Sequence, residues 1–233
     1  MAMENGSDSG AVEPTARKVT FVYYSYTGQN KLIVDTMADV FRARGYEIEA
    51  APIGFTDKHW ADRFSKFPLP MWHLLGMLIP QMRGAKGEIV IPDAAGKPGS
   101  DLVVIAGPTW FFRTSIPIRS FLTKPEAKSL LADSKFATVV VCRRYWSINE
   151  GNVRRHATKL GGHHLDSIHF RFEGGQVRSL FSLLSYLTKG TMNERWLGLK
   201  IPPSNLQSDQ LPQATAFATK LADKLQEPAA AKS

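Results

Sequence analysis

The residues of this sequence that are best suited to bind a charged ligand form a short polar loop near the N-terminus. The loop follows residues 18–24, a β-branched and aromatic run typical of a buried strand. It precedes residues 31–44, whose apolar positions recur at helical spacing. This order places free backbone N–H groups at the positive end of a helix dipole, so the segment is predicted to bind a phosphate group. This first loop consists of Ser25, Tyr26, Thr27, Gly28, Gln29 and Asn30.

The side chains of the first loop suit the same ligand. Ser25, Thr27 and Asn30 supply short polar groups, and Gly28 lets the backbone approach a ligand closely. The loop contains no lysine, and Lys31 is expected to lie on the helix. The GxxxxGK[ST] pattern of P-loop proteins is absent. The alternative to a phosphate site is an ordinary capped helix start.

The elements that would position this loop alternate along the chain. Further strands are predicted at residues 47–53, 101–106, 136–141 and 165–172. Helices are predicted at 116–122, 149–160 and 211–225. Such alternation favours an α/β fold, a doubly wound five-stranded parallel sheet with helices on both faces. The order 2-1-3-4-5 is expected, with the ligand crevice at the carboxyl ends of strands one and three.

Two segments exceed the usual length of a connection. They are an insertion at residues 54–99, with a candidate helix at 71–82, and an extension at 173–208. Both are rich in large apolar residues, which favours either a subsidiary core or dimer contact, or an apolar lid over the ligand. One domain is expected at 18–226, flanked by polar tails at 1–17 and 227–233.

Two motifs together resemble the flavodoxin superfamily. The stretch VTFVYYSYTGQN is similar to that family's phosphate loop after strand one, and the segment from Ala106 to Trp110 is similar to its second FMN loop after strand three. The resemblance implies a flavodoxin-like fold that binds FMN. It also implies that a second loop lines one side of the isoalloxazine ring, where Trp110 could stack. This second loop consists of Pro108, Thr109, Trp110 and Phe111.

A third loop would follow strand four and departs from the family pattern. Electron-carrying flavodoxins usually have an acidic, glycine-rich segment there. Here Arg143 and Arg144 either raise the flavin potential by favouring anionic reduced flavin, or are two solvated arginines. Tyr145 or Trp146 could cover the other face of the ring, and Cys142 is expected to be inert packing. The third loop consists of Cys142, Arg143, Arg144 and Tyr145.

Composition narrows the classes of function. The formal net charge is +8, which suits a solvated basic surface, an anionic cofactor or an anionic membrane face. The single cysteine favours a reducing compartment, so a cytoplasmic location is expected. The apolar segments 67–80 and 180–187 are too short to span a membrane. No nucleic-acid, zinc or dinucleotide-binding motif is present, and no metal is expected.

These observations favour an FMN-dependent oxidoreductase, with electrons passing from NAD(P)H through FMN to an apolar or quinone-like acceptor. No side chain can be named as a catalytic acid or base. The alternatives are a flavodoxin-type electron carrier, which the net charge of +8 opposes, and a non-catalytic accessory protein that keeps the fold. Fold alone does not separate these three functions.

Overall fold

The computed structural model describes residues 17–64, 67–172, 176–191, 193–196, 198–203, 206 and 208–227. Apart from Arg17 and Glu227, the two predicted tails lie outside the described residues. The strands are β1 (Lys18–Tyr23), β2 (Glu47–Pro52), β3 (Gly54–Phe55), β4 (Ile89–Val90), β5 (Leu102–Trp110), β6 (Arg113–Thr114), β7 (Lys135–Cys142), β8 (His163–Arg171), β9 (Arg195–Trp196) and β10 (Leu199–Lys200).

The helices account for most of the remaining described residues, with short 3-10 turns at Asp93–Gly96 and Ser208–Gln210. They are α1 (Gln29–Ala43), α2 (Lys58–Phe64), α3 (Met71–Gly76), α4 (Leu78–Met82), α5 (Ile116–Phe121), α6 (Pro125–Leu131), α7 (Trp146–Lys159), α8 (Gln176–Lys189) and α9 (Leu211–Gln226).

The main sheet has the order β2-β1-β5-β7-β8, and these five strands are parallel. The central strand β5 is buried from Leu102 to Gly107 because helices cover both sides of the sheet. One apolar cluster joins the sheet to α1 and α9, and a second joins it to α5, α6 and α7. The predicted doubly wound, flavodoxin-like arrangement is confirmed.

The end of β5 differs from the prediction. The strand was predicted to end at residue 106, with the second loop after it, yet it continues to Trp110. Gly107 and Pro108 stay in register with Val140 and Val141 of β7, while Thr109 and Trp110 pair with β6. Pairing on both sides therefore overrides the local tendency of Gly-Pro to turn, and the chain reverses only after Trp110.

Helix boundaries also shift. The helix expected at 149–160 begins at Trp146, because Tyr145 adopts a left-handed φ of 61° and turns the chain directly into α7. The candidate helix at 71–82 is confirmed as two short helices, α3 and α4, that meet at Met77. Helix α6 was not predicted, and the last helix ends one residue later than expected.

A charged contact joins the edge strand β8 to α9. Asp166 accepts hydrogen bonds from Lys220 at 2.8 Å and from Lys224 at 2.7 Å. Burial alone would raise the pKa of Asp166, but these two bonds and one from the Ser167 N–H outweigh it and lower the pKa to about 2. The ionised carboxylate therefore stabilises the folded state more than the unfolded one.

We predict that Asp166→Asn lowers the free energy of unfolding by about 1 kcal/mol at neutral pH, because the contact is partly solvated. The carboxylate's contribution is present above its unfolded pKa of about 4 and is lost as pH falls towards 2. Urea unfolding at pH 7 and at low pH measures this. If the free energies of unfolding of Asp166→Asn and the wild type differed by the same amount at both pH values, the stabilising role of the ionised Asp166 carboxylate would be contradicted.

Candidate functional site

Three neighbouring strands of the main sheet end at the same edge. β1 lies beside β5, and β5 lies beside β7, all running in the same direction. The three predicted loops therefore meet at the carboxyl ends of the sheet. The strand order reverses between β1 and β5, the position at which doubly wound sheets bind ligands.

The first loop presents unpaired backbone donors at the start of a 15-residue helix. Gly28 adopts a left-handed φ of 80°, and α1 begins at the next residue. No atom lies within 4 Å of a Cβ placed on Gly28, so the loop is open at this point. Within the described part of the chain, no protein group accepts the backbone N–H of Ser25, Thr27, Gly28, Gln29 or Asn30.

Contacts from neighbouring residues fix the shape of the first loop. The Ser25 hydroxyl accepts the Lys31 N–H at 3.1 Å, and the Gln29 side-chain oxygen accepts the Leu206 N–H at 2.9 Å. Lys31 lies on α1, as predicted, and pairs with Asp35 at 2.6 Å. Among the described residues the Asn30 side-chain oxygen is buried without a partner. Among the described residues, these contacts leave backbone donors of the loop, rather than the Lys31 ammonium, without a protein partner.

The second loop is positioned by α7 and by the insertion. The Asn149 side chain donates to the Thr109 hydroxyl at 3.0 Å. The Trp110 ring stacks on Phe64 at 4.9 Å and meets the Tyr24 ring edge-on at 5.5 Å. Phe55 also stacks on Trp110 at 6.5 Å, so two rings of the insertion already contact it. Its predicted stacking on a flavin must use the part of the ring that these side chains leave uncovered.

The third loop combines a buried thiol with two arginines. Burial raises the pKa of Cys142 to about 12, so the thiol is protonated, in agreement with its predicted role in packing. Arg143 donates to the Ser179 hydroxyl of α8 at 3.3 Å, and burial lowers its pKa. Tyr145 meets Phe112 edge-on at 4.6 Å. Arg143 is thus held in place rather than freely solvated.

Trp146 and His169 stack in parallel at 4.0 Å. Burial lowers the pKa of His169, and the nearby charge of Arg171 acts in the same direction. Trp146 was considered for the flavin face, but it begins α7 and lies against β8. Its ring is therefore already used in joining α7 to the edge strand.

Two polar side chains, one buried and one half-buried, attach the insertion to the second loop and to β6. Gln81 is fully buried, and its side chain donates to the carbonyl oxygens of Trp110 at 3.1 Å and Thr114 at 2.9 Å. Arg119 is half-buried and donates to the Gln81 side-chain oxygen at 3.1 Å and to the Ala85 carbonyl. Neither residue was predicted from the sequence. The one available signal was a glutamine within an otherwise apolar segment.

An apolar cluster covers the first and second loops. Its buried members from the insertion contact partly buried residues of both loops and of α8. The Leu69 N–H donates to the Leu187 carbonyl, so the insertion and the extension also share a backbone contact. This packing agrees with the alternative of a subsidiary core, and the lid over the ligand remains a proposal. The cluster includes Trp60, Leu69, Leu74, Met77, Ile116, Tyr26, Phe64, Trp110, Phe111, Leu184 and Leu187.

A basic cavity of about 180 Å³ lies beside the second loop. Its wall includes Thr114, which is linked to that loop because Asn149 contacts both Thr114 and Thr109. Burial, and then the neighbouring charge of Arg113, lower the pKa of Arg119 to about 10, so it stays cationic at neutral pH. No lining residue is acidic. The lining consists of Arg113, Thr114, Arg119, Leu122, Asn152, Arg155 and His156.

No protein-family model matches this chain, and no curated protein matches it either. Among solved structures, an archaeal flavodoxin is 9% identical, with 90% of this chain and 99% of that chain covered and a TM-score of 0.48. Flavodoxin 1 from Bacillus cereus is 12% identical, with coverage of 88% and 97% and a TM-score of 0.49. A flavodiiron core from Synechocystis is 13% identical, with coverage of 91% and 36% and a TM-score of 0.49. The fold assignment rests on the strand order of the chain itself.

We predict that Gln81→Met loosens the attachment of the insertion. The substitution keeps the side-chain volume but leaves the Trp110 carbonyl and the Arg119 guanidinium short of partners, at a cost of about 1–3 kcal/mol. Urea unfolding and limited proteolysis within residues 54–99 measure this. Met82→Gln, on the exposed side of the same helix, is the matched control. Equal stability of the Gln81 variant and the wild type would contradict this role.

Proposed function

We propose that this chain is an FMN-dependent oxidoreductase that passes electrons from NAD(P)H to an apolar or quinone-like acceptor. The observation that carries this proposal is the group of backbone N–H donors at the start of α1 that have no acceptor among the described residues. They lie at the strand-order reversal of a flavodoxin-like sheet, where the second and third loops can reach the same ligand. FMN would supply the redox chemistry, and the protein would supply binding, orientation and electrostatics.

The first loop fits the phosphate of FMN. A phosphate dianion accepts several hydrogen bonds, and an exposed helix start offers donors together with the positive end of the helix dipole. The open space at Gly28 leaves room for phosphate oxygens next to the backbone. No acidic residue lies between Ser25 and Asn30 to repel the charge. Lys31 is already neutralised by Asp35, so backbone groups would provide most of the binding.

The second and third loops would hold the isoalloxazine ring. Thr109, Trp110 and Phe111 provide backbone groups and an aromatic surface on one side. On the other side, Arg143 is anchored to Ser179 and half-buried, so its charge would act at a fixed distance. A fixed positive charge favours the anionic reduced flavin and raises its potential. Tyr145 stays a candidate for the ring's second face.

The basic cavity would receive a phosphate of the nicotinamide donor. Three arginines surround it without an acidic partner in its lining. Arg119 is saturated by protein acceptors, whereas Arg113 and Arg155 are exposed and can reach a ligand. The link from the cavity through Asn149 to Thr109 of the second loop supports a donor site close to the proposed flavin ring.

The apolar cover favours an apolar electron acceptor. Side chains from the insertion and from α8 surround parts of the first and second loops, where Tyr26 contacts Phe64 and Phe67 edge-on. Such a surface excludes water and accommodates a ring such as that of a quinone. A carrier that exchanges electrons with proteins would instead need an open, complementary charged face.

One experiment separates the three functions. The purified protein is titrated with FMN, and flavin fluorescence reports binding; the loaded protein then receives NADPH and a soluble quinone. Saturable binding with continued NADPH oxidation supports the oxidoreductase. Binding without NADPH oxidation supports a carrier, and failure to bind FMN supports an accessory protein.

We predict that Thr27→Glu abolishes FMN binding. The new carboxylate would lie next to the phosphate. Two like charges in such close contact repel each other by about 3 kcal/mol or more, which lowers the affinity for FMN by roughly 100-fold or more. Flavin fluorescence titration measures it. Thr36→Glu makes the same change further along α1 and should retain binding. Unchanged affinity of the Thr27 variant would refute the phosphate assignment.

We predict that Arg155→Ala raises the KM for the nicotinamide donor about tenfold, because a charge-assisted hydrogen bond to phosphate is lost. Steady-state rates with NADPH and NADH measure it. A higher KM for NADPH alone would indicate that the cavity binds the 2′-phosphate. A higher KM for both NADPH and NADH would indicate that it binds the pyrophosphate. Arg154→Ala, its exposed neighbour outside the cavity lining, is the control. Equal KM values for the Arg155 variant and the wild type would remove the cavity from the donor site.

A further inference from the structure

The insertion presents a row of large apolar side chains to solvent. Trp72 is 72% exposed, Leu75 63% and Ile79 62%, which is unusual for residues of this size. Leu78 and Met82 are exposed as well. These five residues, called the outer stripe below, recur every three or four positions along α3 and α4. They share one side of the two helices because Met77 keeps a right-handed helical conformation at the junction.

The opposite side of the same helices is also apolar, but it is buried. Leu74, Met77 and Gln81 form this inner stripe, and Leu74 and Met77 belong to the cluster that covers the first and second loops. A helix that is apolar on both sides is expected to be covered on both sides. The inner stripe has its cover within the protein, whereas the outer stripe lacks one among the described residues.

Charge close to the outer stripe is mostly basic. From residue 63 to residue 87 the sequence has four basic residues and no acidic one, and Asp62 and Glu88 lie just outside this range. Arg83 and Lys86, which follow the stripe directly, are exposed, whereas Glu88 is paired with Lys124. A row of exposed apolar residues followed by two exposed cations matches the properties of a helix that lies on an anionic lipid surface.

Residues 1–16 and 228–233 are poor candidates to cover the outer stripe, because they contain only small or polar residues apart from Met1, Met3, Val12 and the prolines. A second copy of the same face would bring the exposed cations Arg83 and Lys86 close to those of its partner, which like-charge repulsion opposes. Among the described residues no helix is long and apolar enough to cross a membrane, so contact would be confined to the surface.

We propose that the outer stripe docks onto an anionic lipid bilayer, with Trp72, Leu75 and Ile79 inserted among the acyl chains and Arg83 and Lys86 at the lipid headgroups. This inference is independent of flavin binding and needs no redox activity for its test. Cosedimentation with vesicles of mixed phosphatidylglycerol and phosphatidylcholine is the direct measurement. Binding is expected to weaken with pure phosphatidylcholine and with added salt, because the headgroup attraction is electrostatic.

Leu75→Glu and Ile79→Glu should each lower vesicle affinity at least about tenfold, because an inserted apolar group is replaced by a charge. Both side chains are exposed, so thermal unfolding should be little changed. Leu32→Glu is the matched control: Leu32 is 46% exposed on α1, which packs on the other side of the sheet. Its vesicle binding should equal that of the wild type.

Trp72 gives a site-specific readout. Brominated lipids quench an inserted indole, so quenching of the protein's fluorescence should drop in Trp72→Phe while binding persists. The proposal is overturned if the wild type fails to sediment with the mixed vesicles, or if Leu32→Glu weakens binding as much as Ile79→Glu. It is also overturned if the stripe variants change only the molecular mass in solution, which would identify a second copy of the chain as the partner.

Discussion

The proposed site depends on a set of backbone donors at the start of α1 that have no partner among the described residues. Every α-helix begins with N–H groups that lack intrahelical partners, and capping side chains often satisfy them. At the start of α1 the preceding residue is Gly28 in a left-handed conformation, which has no side chain to act as a cap. The Ser25 hydroxyl accepts the Lys31 N–H. The remaining donors lie at the edge where β1, β5 and β7 end, and the fold brings the second and third loops to the same edge.

The insertion is built around this edge rather than added at random to the surface. Its last helix, α4, carries Gln81 into the protein, where the side-chain amide donates to the carbonyl oxygens of Trp110 in the second loop and Thr114 in β6. Arg119 completes the arrangement with bonds to the insertion and to β6. Burying a guanidinium away from carboxylates is costly unless its donors are satisfied. Protein oxygens satisfy them here, which ties the conformation of the second loop to that of the insertion.

Periodicity and turn chemistry were enough to predict the sheet. The residues of β5 and β7 are apolar in succession because helices cover both faces, and this pattern is visible without a structure. The order of strand, loop and helix around residues 25–30 also stands as predicted, although α1 begins at Gln29, two residues earlier than expected, and the ligand of the loop stays a prediction. Local rules failed where distant pairing decides the outcome. Pro108 stays extended because β7 holds it, and α7 begins early because Tyr145 adopts a left-handed conformation that its residue type rarely takes.

The site's polar connections could not be predicted for a different reason. Gln81 and Arg119 are 38 positions apart, and Thr109 and Asn149 are 40 apart. The sequence around each of these four residues does not indicate which distant residue it will contact. The aromatic cover presents the same difficulty: Phe64 and Trp110 each read as an ordinary apolar residue until the fold places one ring on the other. Such pairs depend on which parts of the folded chain lie side by side. The sequence alone predicted the order of the strands but not these individual contacts.

Helices α3 and α4 have an inner stripe and an outer stripe, and this arrangement connects the proposed flavin site with the proposed membrane contact. Their inner stripe contacts the cluster that contains Tyr26, Trp110 and Phe111, and their outer stripe faces away from it. Only the width of one helix, about 10 Å, then separates a lipid surface from the proposed flavin loops. An apolar acceptor dissolved in a bilayer would have a short route to such a site without entering water. A docked insertion would thus act as both cover and membrane contact, which explains why apolar residues occupy both sides of helices too short to cross a membrane.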